Sequence, residues 1–148
     1  MTQDYRFHHL AIIARNYAET VGWYCRHFGF SLAQEWTAPD MLPGARMCYL
    51  RKGTFFMEII GDGEKAGHHQ VAEDPRQEYQ IPGYRHFALE VDDVDAAVKT
   101  LEGDGVPVFF PPATLDGVGV RAALVRDPDG NTVELIQWLR GRPGEAEA

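Results

Sequence analysis

Hydrophobic residues follow two alternating periods along the chain, and the switch from one period to the other happens twice. In His9-Leu10-Ala11-Ile12 and again in His86-Phe87-Ala88-Leu89, bulky apolar side chains take every second position, which predicts strands with one packed face. Each is followed by a stripe at helical spacing, Val21, Tyr24, Cys25 and Phe28 in the first case, Val94, Ala97, Val98 and Leu101 in the second. Asn16 and Asp93 stand before these stripes and are residue types whose side-chain oxygens accept from free amides of a first helical turn. Glu19 follows Asn16 at nearly the spacing of a capping box. Gly29 and Gly105 suit the left-handed position that ends a helix. After each helix come strand-like stretches, at about 30–36, 46–52 and 54–60 and then at about 106–110, 120–126 and 132–138. Pro43-Gly44, Pro111-Pro112 and Asp127-Pro128-Asp129-Gly130 read as turns.

The two halves are in register. From His9, Asn16 lies 7 residues on, Gly29 20, Gly53 44 and Glu58 49; from His86, Asp93 lies 7 on, Gly105 19, Gly130 44 and Glu134 48. Landmarks that recur in order to within one residue mark an internal repeat. The chain is therefore expected to be an α+β protein made of two tandem modules, each strand, helix and three strands. The first spans residues 1–61 and the second 83–139. Residues 62–82, polar and without periodicity, read as a linker, and 140–148 as a loose tail.

Four residues stand out at matched positions. Alternation puts His9 beside Ala11 and His86 beside Ala88, opposite the bulky faces expected to pack on the helices. The imidazoles then face small residues that leave space. Glu58 sits in Phe56-Met57-Glu58-Ile59-Ile60 and Glu134 in Val133-Glu134-Leu135-Ile136. An ionised carboxylate among apolar neighbours costs several kcal/mol or more to bury unless something compensates. No Arg recurs near both glutamates, so a cation is the simplest common partner. His9, Glu58, His86 and Glu134 form a mixed nitrogen and oxygen set suited to zinc, nickel, iron or manganese. Four protein ligands on a six-coordinate ion leave positions for water or substrate. Glu134 or Glu58 is then the candidate general base. His8, with Arg85 at its counterpart position, reads as pointing to the other face in a structural or surface role. Phe56 and Trp138 share the faces of the glutamates and are candidate cleft walls, while Arg46 and Arg121 are expected as surface charge.

Composition narrows the picture. The chain has 148 residues, 45% of them hydrophobic, enough for a packed core. A net charge of -8 without a Lys/Arg cluster argues against nucleic acid as a partner. No apolar run reaches the ~20 residues that span a bilayer. The start, Met1 to Arg6, lacks the apolar stretch of a secretory signal, so a cytoplasmic location is expected. Cys25 and Cys48 lack the spacing of a zinc or redox motif and read as free buried thiols.

Phe7-His8-His9-Leu10-Ala11-Ile12, Trp23-Tyr24 before Phe28-Gly29-Phe30, His86-Phe87-Ala88-Leu89-Glu90-Val91-Asp92-Asp93 and Asp127-Pro128-Asp129-Gly130-Asn131-Thr132-Val133-Glu134-Leu135 together resemble the vicinal oxygen chelate superfamily of glyoxalases, bleomycin resistance proteins and extradiol dioxygenases. The resemblance implies βαβββ modules whose mixed sheets curl around a metal-containing cleft, helices outside, usually within a homodimer. It places the family's ligands at His9, Glu58, His86 and Glu134. The His, Glu, His, Glu order resembles glyoxalase I. It implies a lyase or isomerase binding one divalent ion per site and a small substrate with vicinal oxygens, working through an enediolate with a Glu base. A non-haem iron dioxygenase of the extradiol type and an antibiotic- or metabolite-binding resistance protein are the alternatives.

Overall fold

The computed structural model of the chain describes residues 4–144; the first three residues of the polar start and residues 145–148 of the expected tail lie outside the described residues. The chain divides into two compact units, the first ending at His68 and the second beginning at His69.

The first unit runs β1 (His9–Ala14), α1 (Tyr17–Phe28), β2 (Ser31–Trp36), β3 (Ala45–Lys52) and β4 (Phe55–Asp62). Its sheet has the order β1-β4-β3-β2, with β1 parallel to β4 and the remaining pairs antiparallel. The predicted caps form: Asn16 Oδ1 accepts from the Glu19 amide at 3.0 Å, and Gly29 ends α1 at φ 67. One face of the sheet packs on α1, where Ile12, Ala14, Met57, Ile59, Cys48 and Leu50 are buried together with Tyr17, Tyr24 and Phe28. Gly61 belongs to this face. A Cβ there would stand 2.6 Å from Tyr17 Cα, so helix and sheet meet backbone to backbone. Gly61→Ala is expected to cost about 1–3 kcal/mol by overpacking. A thermal or urea melt would read this directly, and an unchanged midpoint would contradict the close packing.

The second unit repeats the plan with β5 (His86–Glu90), α3 (Val94–Gly103), β6 (Val108–Leu115), β7 (Val120–Arg126) and β8 (Thr132–Trp138), in sheet order β5-β8-β7-β6. Here too the first and last strands are parallel. Asp93 caps α3 through the Ala96 amide at 3.0 Å. The tandem βαβββ architecture expected from the repeat is therefore present, each module with its own four-stranded mixed sheet.

Three details depart from the sequence reading. Pro111 and Pro112 do not end a strand but lie inside β6. That strand is at the sheet edge, and its register shifts between Phe110 and Ala113, so residues without an amide hydrogen are tolerated there. The segment read as a linker is not featureless. It holds a short helix, α2 (Pro75–Glu78), capped by Asp74 through the Gln77 amide at 2.8 Å. The described start of the tail is tethered, with Arg142 paired to Glu90 at 2.6 Å. Among the described residues, no helix is long and apolar enough to cross a membrane. Cys25 and Cys48 are both free, and burial pushes both thiols above their ordinary range.

Candidate functional site

In the first unit, strand register brings His9 and Glu58 together. Ala11 is the direct neighbour of Glu58 across the parallel β1–β4 pair, and His9 that of Phe56. The methyl group of Ala11 leaves room beside the carboxylate, into which the imidazole leans. His9 Nε2 and Glu58 Oε2 are 3.3 Å apart, with the side chains 31% and 16% exposed. They lie on the sheet face opposite α1. Tyr49, paired with Glu58 across β3–β4, sets its ring 5.5 Å from that of His9 and 4.8 Å from Trp36. Phe56 sets its ring 6.1 Å from that of Tyr49. Farther along the same face, Ile13 and Ile60 line a cavity of about 390 Å³ with Met41, Leu42 and Pro43.

The second unit reproduces the arrangement. Ala88 is the register neighbour of Glu134, and His86 Nε2 lies 3.4 Å from Glu134 Oε2, at 26% and 15% exposure. The hydrogen bond to Glu134 raises the pKa of His86, helped by the charges of Glu134 and Glu78 and opposed by burial and Arg85. Tyr79, at the end of α2, sets its ring 6.2 Å from that of His86. Burial, together with the charges of Glu134 and Glu78, raises the pKa of its phenol.

Beneath Tyr79 lies a cluster that sequence patterning missed. The Glu78 side chain is fully buried, 3.0 Å from Arg85 and 4.0 Å from Arg126. Arg85 also donates to the Gln70 carbonyl, and Arg126 to the carbonyls of Ala72 and Gly130 while stacking on Phe109. The segment before β5 is thus fastened to the second unit, immediately beside His86. A four-residue helix is too short to show periodicity, and the only available signal was an acid and a base flanking the Tyr79 to Tyr84 stretch.

Other candidates lie apart from the pairs. Arg46 stacks on Tyr17, 4.2 Å from the ring centre, and reaches Glu35 at 3.3 Å. Arg121 is held by Asp95 and Thr114. The Trp138 indole donates to Glu90 at 3.3 Å. His8 corrects the expectation that it points away: its ring Nδ1 is 2.7 Å from His9 Nδ1, and the ring stacks on Phe56. It precedes β1, so strand alternation does not govern it.

Residues 6–135 match the model of the glyoxalase/bleomycin resistance protein/dioxygenase superfamily. The chain belongs to this superfamily. Relatives include the uncharacterised protein YaeR of Escherichia coli, 31% identical over 141 residues that cover 88% of this chain and 94% of YaeR. A crystal structure of a glyoxalase family protein from Enterococcus faecalis superposes with a TM-score of 0.72 at 26% identity, over 88% of this chain and 96% of that one. A probable lactoylglutathione lyase of Vibrio cholerae is 41% identical over 61 residues, 41% of this chain and 44% of the lyase.

The residues present fit the divalent ion associated with the superfamily. Zinc bonds of about 2.0–2.2 Å to nitrogen and oxygen, at roughly 90–110°, place two donors about 3.0–3.4 Å apart. The two pairs stand at 3.3 and 3.4 Å. Among the described residues, no guanidinium pairs with Glu58 or Glu134, and no group of three or more His, Cys, Asp or Glu gathers at ligand spacing. Each unit of this superfamily member places one imidazole beside one carboxylate.

Proposed function

We propose that the protein is a divalent-metal-dependent enzyme of the glyoxalase I type, in which His9 and Glu58 join with His86 and Glu134 to hold one ion, within a homodimer. The observation that carries this reading is the matched pair geometry, one imidazole and one carboxylate at ligand spacing in each unit. The partial likeness to a lactoylglutathione lyase supports the reaction class. The ion, when bound, supplies a Lewis acid for a substrate carrying neighbouring oxygens.

The chain's own residues would do the rest. As general base, Glu134 or Glu58 would take the proton from the carbon next to the substrate carbonyl and return it to the former carbonyl carbon, completing the isomerisation. The partial exposure of both leaves them within reach of a ligand. Tyr49 would flank the substrate beside His9, and the cavity lined by Ile13 and Ile60 on the same sheet face would take an apolar part of it.

The test is elemental analysis of protein purified without chelator or nickel affinity, followed by an assay of thioester formation from the hemithioacetal of glutathione and a 2-oxoaldehyde. Retained zinc, nickel, iron or manganese with metal-dependent turnover is expected. Protein that neither retains nor takes up a divalent ion would remove the basis of the proposal.

A further inference from the structure

His8 has no part in the four-ligand set, yet its ring stands at hydrogen-bond distance from a member of it. The Nδ1 atoms of His8 and His9 are 2.7 Å apart. Two ring nitrogens that close must share one proton, since two lone pairs or two N–H groups would repel. A neutral imidazole carries a single N–H, on one nitrogen or the other. Without an ion, the shared proton can belong to either ring.

A cation removes that freedom. The His9 nitrogen that faces Glu58 is Nε2. If Nε2 gives its lone pair to an ion, the His9 proton must sit on Nδ1, and the acceptor 2.7 Å away is His8 Nδ1. His8 must then carry its own proton on Nε2. We infer that His8 is a positioning residue: it accepts from His9 Nδ1–H and so fixes the tautomer and ring orientation in which His9 offers Nε2 to the metal. This rests on the metal site proposed above. Histidine ligands commonly need such a partner for their second nitrogen.

The structure holds His8 for this purpose. Its ring stacks on Phe56 with an interplanar angle of 15° and meets Tyr49 edge-on at 6.1 Å. Phe56 is the register neighbour of His9, so the shelf under His8 is built on the strand that also carries Glu58. The second unit uses a different device. Arg85 occupies the matched position, a guanidinium cannot accept a hydrogen bond, and this one is spent on Glu78 and the Gln70 carbonyl.

Zn²⁺ affinity of the full chain, measured by competition with a chromophoric chelator, tests the inference. His8→Phe keeps a flat ring for Phe56 and Tyr49 but removes the acceptor. It is expected to weaken Zn²⁺ binding about 10- to 100-fold, with the melting temperature of the metal-free protein unchanged. In the zinc-loaded native protein, nitrogen-15 chemical shifts are expected to show His9 protonated at Nδ1 and His8 at Nε2. Unchanged affinity in His8→Phe, or the reverse tautomers, overturns this inference while leaving the metal site standing. Native protein that takes up no Zn²⁺ overturns both.

Discussion

Glu78→Ala is expected to destabilise the protein by about 3–5 kcal/mol, the usual cost of stranding buried charge by deleting its partner. Glu78 has no exposed side-chain surface, and its Oε2 lies between Arg85 and Arg126, themselves 17% and 11% exposed. Burial already lowers the pKa of Arg126. Removing the carboxylate would leave two guanidinium groups facing each other with little water. Against a typical total stability of about 5–15 kcal/mol, this is a large fraction. Urea denaturation followed by far-ultraviolet dichroism would measure it, and a loss under about 1 kcal/mol would show that the cluster holds little. Because Arg85 directly precedes His86, weakened metal retention in the same variant is also expected.

Glu134→Gln is expected to reduce metal-dependent turnover by about 10²- to 10⁴-fold, the range over which a positioned general base contributes. Glutamine keeps an oxygen donor at the same place but cannot take up a proton at neutral pH. The parallel variant Glu58→Gln separates the two roles. With the donor oxygen kept in both variants, the carboxylate acting as base loses turnover with metal retained, whereas the one acting only as ligand keeps both metal and most of its turnover. Full turnover in both variants, with metal bound, would remove the glutamates from the proton-transfer step.

The repeat made the architecture readable because its signals are local. Strand and helix periods, the Asn16 and Asp93 caps and the left-handed Gly29 all act within a few residues, and all appear in the structure. The pairing of His9 with Glu58 and of His86 with Glu134 was also legible, through spacings of 49 and 48 residues in the two halves and alanines on the neighbouring register positions. What escaped depends on distant contacts. Glu78 looked like any charge in a polar stretch, because its burial comes from Arg126 on β7. His8 looked like the opposite face of a strand, because nothing local says that β1 begins one residue later. Pro111-Pro112 looked like a turn, because edge position is a property of the sheet.

Those prolines have an effect unrelated to chemistry at the site. The outermost strand of a sheet presents main-chain groups that can recruit a foreign strand, and consecutive residues lacking an amide hydrogen interrupt that template. Beside them the backbone also bulges, breaking the regular ladder spacing an incoming chain would have to match. The rim formed by β6 is therefore guarded against self-association by extension of the sheet, so crowding should not readily turn this module into a seed for fibres.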